Sequence, residues 1–527
     1  MKCALGLSLA LVLLASSRAV AGDWPQWGGT PHRNMVSDEK GLPIGFEPGA
    51  AARDTSMTEP ISGGNVKWVV KLGGETHGSP TVAGGRVFIG TNNPYKRDGA
   101  IIPRKGDSGG RLLCLDFRTG KLLWELATPR LPEARAPHSD NGYGVCSSTL
   151  VEGNRAYLVN DRTDVLCLDV EGLANGNEGP YLDEAEYLAG LHDTTQQPPP
   201  KVELRPTDAD IVWHYNIFEE LEAHPHDGTA CSPLMYGDLL YVCTGNGING
   251  AENKVLNPQA PSVIVLDKKT GRLVAKDEEL IGTRLLKGQW SSPTLCEVDG
   301  KTLIIYGGGD GFCYAFEPVS PLPNGKIATL KKVWAVDVIP PDCRFRNGRR
   351  VGYREENGPS EIVGTPVFAD GHIFVTIGRD PERGEGKGNL VCIDPAKGKA
   401  VWTYGEIGRS MSTVAVADGL LYVGETFGTI HCVNAETGEA HWTHEINGRI
   451  WGSTLVADGK VYVPTNKGLL IFAHNQHKKL LRTLKIGSGC YCTPCAANGT
   501  LLVASQKYLY ALHEKGLTPH VVAATGR

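Results

Sequence analysis

His224-Pro225-His226-Asp227 places two imidazoles and a carboxylate within four residues, and imidazole with carboxylate is a donor set for zinc and other divalent transition ions. His77 and His138 are candidates to join them. No further ligand stands at a diagnostic spacing, so the sequence assigns no metal, and His224, His226 and Asp227 remain weak candidates. Cys492-Thr493-Pro494-Cys495 is a C-x-x-C, the spacing of a thiol redox pair, although it overlies a repeated Thr-Pro element. Gly307 to Gly311 is rich in glycine, but no Lys-Ser/Thr follows and a strand comes next. It reads as a tight turn and not as a phosphate loop. No nucleophile, base and orienting group can be set together from spacing, so no catalytic residue is named.

The elements that position these residues are repeats. From Met411 to Val463 one unit is written twice: Ser412-Thr413, Asp418-Gly419, Leu421-Tyr422-Val423, Ile430 to Asn434, Thr437-Gly438 and Trp442, then again from Ser453-Thr454. A period of about forty residues with four short β-rich runs is that of a propeller blade. Asp-Gly tolerates positive φ at both positions and closes a two-residue hairpin. One such sheet leaves its apolar faces uncovered, so neighbouring blades must cover them.

Strand openers recur at Ser79-Pro80, Ser147 to Thr149, Ser232-Pro233, Ser292-Pro293, Thr365-Pro366, Ser412-Thr413, Ser453-Thr454 and Thr493-Pro494. Fourth strands carry Trp124, Trp213, Trp334, Trp402 and Trp442. The last unit lacks a fourth strand, whereas Val66 to Val70 is a fourth strand with no first strand before it. The two ends therefore complete one blade and leave no open sheet edge. The expectation is an all-β, eight-bladed β-propeller of four-stranded antiparallel blades; seven blades is the alternative if the insertion-rich second unit is incomplete. The domain reading is a signal peptide at 1–21, an N-terminal extension at 22–61, the propeller at 62–513 and a tail at 514–527. Cys114, Cys167, Cys313, Cys392 and Cys432 fall at one place in the third strand, where a small apolar side chain fits the core.

Leu-x-Cys-Leu-Asp-x-x-Thr-Gly-Lys-x-x-Trp at Leu112 to Trp124 and Asp-Gly-Leu-Leu-Tyr-Val-Gly at Asp418 to Gly424 resemble the pyrroloquinoline-quinone (PQQ) repeat propellers, both quinoprotein-like and BamB-like. Asp23-Trp24-Pro25-Gln26-Trp27-Gly28-Gly29, with Gly288 to Pro293, is similar to exported planctomycete-type members of uncertain function. The resemblance is informative for fold and weak for function. It admits PQQ and calcium as cofactors, although the residues by themselves assign none. It also implies, for a dehydrogenase, a quinone stacked between a Trp and a disulfide of adjacent cysteines, and this chain has no Cys-Cys pair and no C-x-x-C-H.

With alternating strands, the loops from fourth to first strands and from second to third strands share one face, and most insertions fall there. The long segment Val170 to Ala209 falls on the other. Residues just before the openers should converge on the channel mouth: His77, His138, Asp140, Asn141, Tyr143, His226, Asp227, Gln289, Trp290, Asn357, Arg409, Arg449, Trp451 and Tyr491. Aromatic walls with a few polar groups suit a planar polar ligand. Trp290 or Trp451 would supply a stacking floor, and Asp140, Asp227 or Asn357 would supply oxygens.

Lys2, the apolar run Ala4 to Ala15 and Ala19-Val20-Ala21 read as a secretory signal, the run being shorter than the ~20 residues of a spanning helix. The expected location is periplasmic or secreted, with no transmembrane segment. With 53 Lys plus Arg against 58 Asp plus Glu the net charge is −5, which gives no basic field for nucleic acid. The first functional reading is an exported, non-catalytic binding or scaffold propeller, a monomer that binds an envelope or extracellular protein or glycan through its loop-rich face and channel mouth. The alternatives are a PQQ- and calcium-dependent quinoprotein dehydrogenase and a glycan-binding or glycan-processing propeller.

Overall fold

In the computed structural model the described residues are 22–46, 64–93, 109–128, 142–177, 179–189, 202–322, 325–379 and 381–514. They form eight blade sheets and one two-stranded ribbon at 345–350. Blades 1 to 8 begin at Thr81, Leu150, Leu234, Thr294, Val367, Ala415, Leu455 and Cys495. The second unit does make a full sheet, so the ring has eight blades and not seven. Val66–Lys71 pairs antiparallel with Tyr508–Leu512, and the two ends of the chain close blade 8 as the sequence requires.

Blade 6 shows why the repeat folds this way. Ala415–Ala417 turns into Leu420–Gly424 through Asp418 and Gly419, with φ of 50° and 74°, the double positive φ of a tight hairpin. Thr429–Asn434 then ends on Asn434, whose Oδ1 accepts from the backbone N–H of Thr437 at 2.9 Å and so shapes the next turn. The equivalent Asp116 accepts from Thr119 N and Oγ1 at 2.7 and 2.6 Å. The glycine after that threonine is held by the neighbouring blade. The indole of Trp402, on the fourth strand of blade 5, lies over Gly438 of blade 6 and donates from Nε1 to Ala435 O at 3.2 Å.

The same latch recurs where Trp68 donates to Phe117 O, Trp124 to Val170 O, Trp213 to Lys268 O, Trp334 to Pro395 O and Trp442 to Asn475 O, at 2.8–3.1 Å. Each couples a blade to the next by one hydrogen bond and a buried ring face, together about 1–2 kcal/mol. The third-strand cysteines are buried as expected, and all thirteen described cysteines are free. Cys492 and Cys495 are buried in the strand opening of blade 8, and burial pushes both thiols well above their ordinary value, the reverse of a redox pair.

Residues 22–46 are part of the ring. The segment 22–37 makes a complete circuit along the inner strands, on the face of the first hairpins. Asn498 N donates to Gly22 O in blade 8, Trp24 and Val82 exchange two bonds in blade 1, and Val151 N donates to Pro25 O in blade 2. Leu295, Phe368 and Val456 donate to Pro31, His32 and Met35 in blades 4, 5 and 7. Asn34 pairs with Val416 of blade 6 through both amide atoms, and Ser37 Oγ returns to Ala496 O of blade 8. Blade 3 is reached by Arg33, which is fully buried and donates to Pro233 O, Pro293 O and Trp27 O at 2.8–2.9 Å. Inner strands expose a free edge to the channel, and this strap satisfies it.

The described part of the 170–209 insertion corrects one expectation. It leaves from the hairpin face but climbs the flank of blade 2, where buried Tyr187 donates to Asp164 Oδ2 at 2.6 Å on the loop-rich side.

Candidate functional site

A cavity of about 230 Å³ lies on the axis, and its lining follows from strand geometry. Side chains of an extended chain alternate, so residues at an opener and two positions before it face the channel while those between face the blades. The openers form a floor ring: Ser79, Ser148, Ser232 and Ser292, then Thr365, Thr413, Ser453 and Thr493. The residues two before them form a wall ring: His77, Cys146, Ala230 and Trp290, then Val363, Met411, Trp451 and Tyr491. Trp27 of the strap closes the axis from below, with Nε1 donating to Thr365 Oγ1 at 3.1 Å. The result is a cup with a polar floor, and its walls rise into the loop-rich face.

The floor ring is hydrogen-bonded around the axis. The backbone N–H of Ser148 donates to Ser232 Oγ, and so on through Ser292, Thr365, Thr413, Ser453, Thr493 and Ser79, at 2.8–3.4 Å. Ser148 Oγ closes the circle by donating to Ser79 O at 3.0 Å.

The wall is uneven. Trp451, Tyr491 and His77 stand on the consecutive blades 7, 8 and 1. Trp451 and Tyr491 stack at 4.7 Å and 24°, and Tyr491 and His77 at 5.6 Å and 12°. Tyr143 meets His77 edge-on at 4.7 Å. Burial raises the Tyr491 hydroxyl above its ordinary value. Trp290 stands four blades from Tyr491, half the ring away, with Nε1 donating to His226 O at 3.2 Å. The gap beside it is set by the small side chains of Ala230 and Cys146. Asp227, held in the left-handed region at φ 58°, lies on the wall with Lys287 Nζ at 3.9 Å and His226 Nε2 at 3.7 Å.

Of the residues that the sequence places at the mouth, the fold gathers His77, Tyr143, Asp227, Trp290, Trp451 and Tyr491 on this cavity. His138, Asp140 and Asn141 lie outside the described residues. The others serve elsewhere. Gln289, one residue off the alternation, is buried in the blade, donating to Asn246 O and Ser262 Oγ and accepting from Tyr306. Arg409 is buried and donates to the carbonyls of Arg383, Gly384 and Glu385, fixing the loop that brings Pro381 to the cup. Asn357 accepts from Lys387 N on a loop, and Arg449 is exposed with its guanidinium over Phe427. His226 Nδ1 is engaged with Ile248 O at 2.9 Å, and His224 packs edge-on to Phe218. Among the described residues no group of three His, Cys, Asp or Glu is placed to hold a metal ion.

Sequence reasoning missed Trp27 and the floor ring. The signal for the ring was present, since the opener is Ser or Thr in every unit.

The sequence model described as Outer membrane protein assembly factor BamB matches residues 59–177 and 386–481. No curated protein matches the chain. The chain is similar to the crystal structure of BamB from Moraxella catarrhalis, with a TM-score of 0.51 and 12% identity over 86% of this chain and 99% of that one. It is also similar to a europium-containing methanol dehydrogenase, with a TM-score of 0.58 and 13% identity over 92% of this chain and 89% of the other. At these identities the likeness is one of fold.

Proposed function

We propose that this eight-bladed propeller, part of which the family model of the outer membrane protein assembly factor matches, is a binding protein whose axial cup takes one flat, largely aromatic small molecule beneath a partner-binding face. The observation that carries this reading is the stacked series Trp451, Tyr491 and His77 facing Trp290 across a cavity closed below by Trp27. Stacking on such rings contributes about 0.5–1.5 kcal/mol per pair beyond area, and the closed floor excludes bulk water from the bound face. The loop-rich face above is the surface for an exported or envelope partner. An outer membrane protein assembly factor shares the fold, which supports a protein partner. Among the described residues no helix is long and apolar enough to cross a membrane. Export through residues 1–21 completes the proposal.

The residues of the cup bear on the quinoprotein alternative. The aromatic wall offers stacking faces to a flat body such as that of PQQ. Calcium takes roughly six to eight oxygens, several from carboxylates. Asp227 is the one carboxylate lining the cup among the described residues, and it is already faced by Lys287 and His226. These residues do not fit the ion, and no dehydrogenase step is drawn through it. A glycosidase would need a second facing carboxylate there.

Titration of the purified protein with PQQ and with simple naphthalene derivatives, followed by absorbance and calorimetry, tests the reading. Saturable one-to-one binding that weakens at least about tenfold in Trp451→Ala, with unchanged circular dichroism, is expected from the loss of one stacked face and its burial. Absence of binding by every flat aromatic probe would refute it.

A further inference from the structure

The floor ring has a chemical consequence of its own. A hydroxyl carries one hydrogen and two lone pairs. Seven ring hydroxyls each accept a backbone N–H from the blade before, as described above, and among the described residues their own hydrogens have no acceptor. At Thr365 both lone pairs are taken, by Ser292 N and by Trp27 Nε1, so its O–H is left to donate. The ring hydroxyls belong to residues only 2–7% exposed, and all line the cup.

A buried donor left unused is among the costlier defects in a protein, whereas an unused lone pair is tolerated more readily. Donation from a backbone N–H also polarises a hydroxyl and strengthens its own donation. The cup therefore offers converging donors at its floor, with no carboxylate among them, and flat rings at its wall. Such a floor favours an acceptor-only group with negative charge, as an oxyanion hole does. A cation would occupy lone pairs and leave every hydrogen unmet.

We propose that the hydroxyl ring seats a carboxylate, so that the ligand of the cup is an aromatic carboxylate bound acid end down against the floor and ring system against Trp451 and Tyr491. This rests on the reading of the cup as a small-molecule site, and it names the chemical class. The ring thus has two roles in one set of atoms: the oxygens join neighbouring blades and the hydrogens select the ligand.

The test is calorimetric titration of the full chain with three probes of one shape, 2-naphthoate, 2-naphthamide and 2-naphthylmethylammonium. The expected result is naphthoate binding at least about tenfold tighter than the ammonium, from several charge-assisted bonds, with the amide between. Nitrate, a planar acceptor-only anion, should compete with naphthoate and leave the ammonium unaffected. Thr413→Val should lower naphthoate affinity about tenfold and leave the ammonium unchanged, and Thr413→Ser should restore it. Should Thr413→Val fail to fold, the probe order and nitrate competition in the native protein decide the matter. Equal affinity for all three probes, or no competition by nitrate, overturns the carboxylate seat and leaves the aromatic cup standing. Binding by none of them removes the seat and the small-molecule reading together.

Discussion

If the strap closes the ring, Arg33→Met should loosen a whole circuit of hydrogen bonds and not only those at its own position. Arg33 is fully buried, and its guanidinium donates to three main-chain carbonyls, Pro293 O, Pro233 O and Trp27 O, and to Gln26 Oε1 at 3.3 Å. Three charge-assisted bonds at about 2 kcal/mol each give about 6 kcal/mol. Burial offsets part of this. Desolvation holds the guanidinium pKa down from 12.5 to about 10, which corresponds to about 3 kcal/mol against the charged form. The net loss is about 3 kcal/mol, a factor of roughly 100 in the opening equilibrium of the strap. Native-state hydrogen exchange reads it directly, because Leu295, Phe368 and Val456 donate their N–H groups to Pro31, His32 and Met35 of the strap. Their protection should fall together by about that factor in the variant, while mid-blade amides such as Tyr422 keep theirs. Val456 decides the question, since blade 7 lies three blades from the Arg33 contact at Pro293 in blade 4. Unchanged protection at Val456 in a folded variant would refute the strap as a single closing element.

The latch gives a comparison with its own control. Gly438→Ala places a methyl 2.7 Å from the Trp402 ring at φ 78°, whereas Gly419→Ala, at φ 74°, meets nothing within 4 Å. Both carry the left-handed penalty of about 1–2 kcal/mol, so urea unfolding should show Gly438→Ala lower by about a further 1–3 kcal/mol; equal losses would remove the latch from the account. A third expectation concerns pH. Glu361 is fully buried, and burial, only partly opposed by Tyr353, Lys287 and Arg379, raises its pKa from 4.5 to about 8. The native state therefore holds a proton that the unfolded chain has released, and stability falls as pH rises from about 4.5 to about 8. Glu361→Gln should flatten that decline in denaturant midpoints measured across the window, and an unchanged slope would contradict it.

Most of the ring was legible because its signals are local. Asp418-Gly419 requires a hairpin whatever surrounds it, and Thr437-Gly438 with Trp442 marks the next turn and strand. Trp402 explains why Gly438 must be glycine, yet that reason lies in the preceding blade and could not be read from the unit itself. The strap was illegible for a stronger reason. Asp23 to Gly29 has no period, and the partners of Asn34 and Arg33 lie 382 and 260 residues away. The candidate site was half legible. Proximity to an opener pointed to His77, Trp290, Trp451 and Tyr491, but it equally pointed to Gln289 and Arg409, which alternation and loop geometry turn away. Ala230, Val363 and Met411 carry no chemical signal and were passed over, although they occupy the same position as the tryptophans.

That equivalence separates what the fold needs from what the site needs. At the floor, every blade must offer a hydroxyl to its neighbour, and all eight openers do. Two residues earlier no bond repeated in every blade is required, and the ring accepts side chains as different in volume as Ala230 and Trp451 without a change in strand register. A position that the scaffold leaves unconstrained is free to answer to a ligand. This chain has placed its large rings on blades 7, 8, 1 and 4 and its small side chains on blades 2 and 3. The axial cavity is therefore asymmetric, with a stacking surface on one side and a gap beside Trp290. Ten tryptophans divide on the same principle: six latch blades, Trp24 holds the strap, and Trp27, Trp290 and Trp451 face the cup. The latching six are explained by blade packing alone. The three at the cup are not, and their placement is the strongest sign that the axis of this propeller is a site and not a seam.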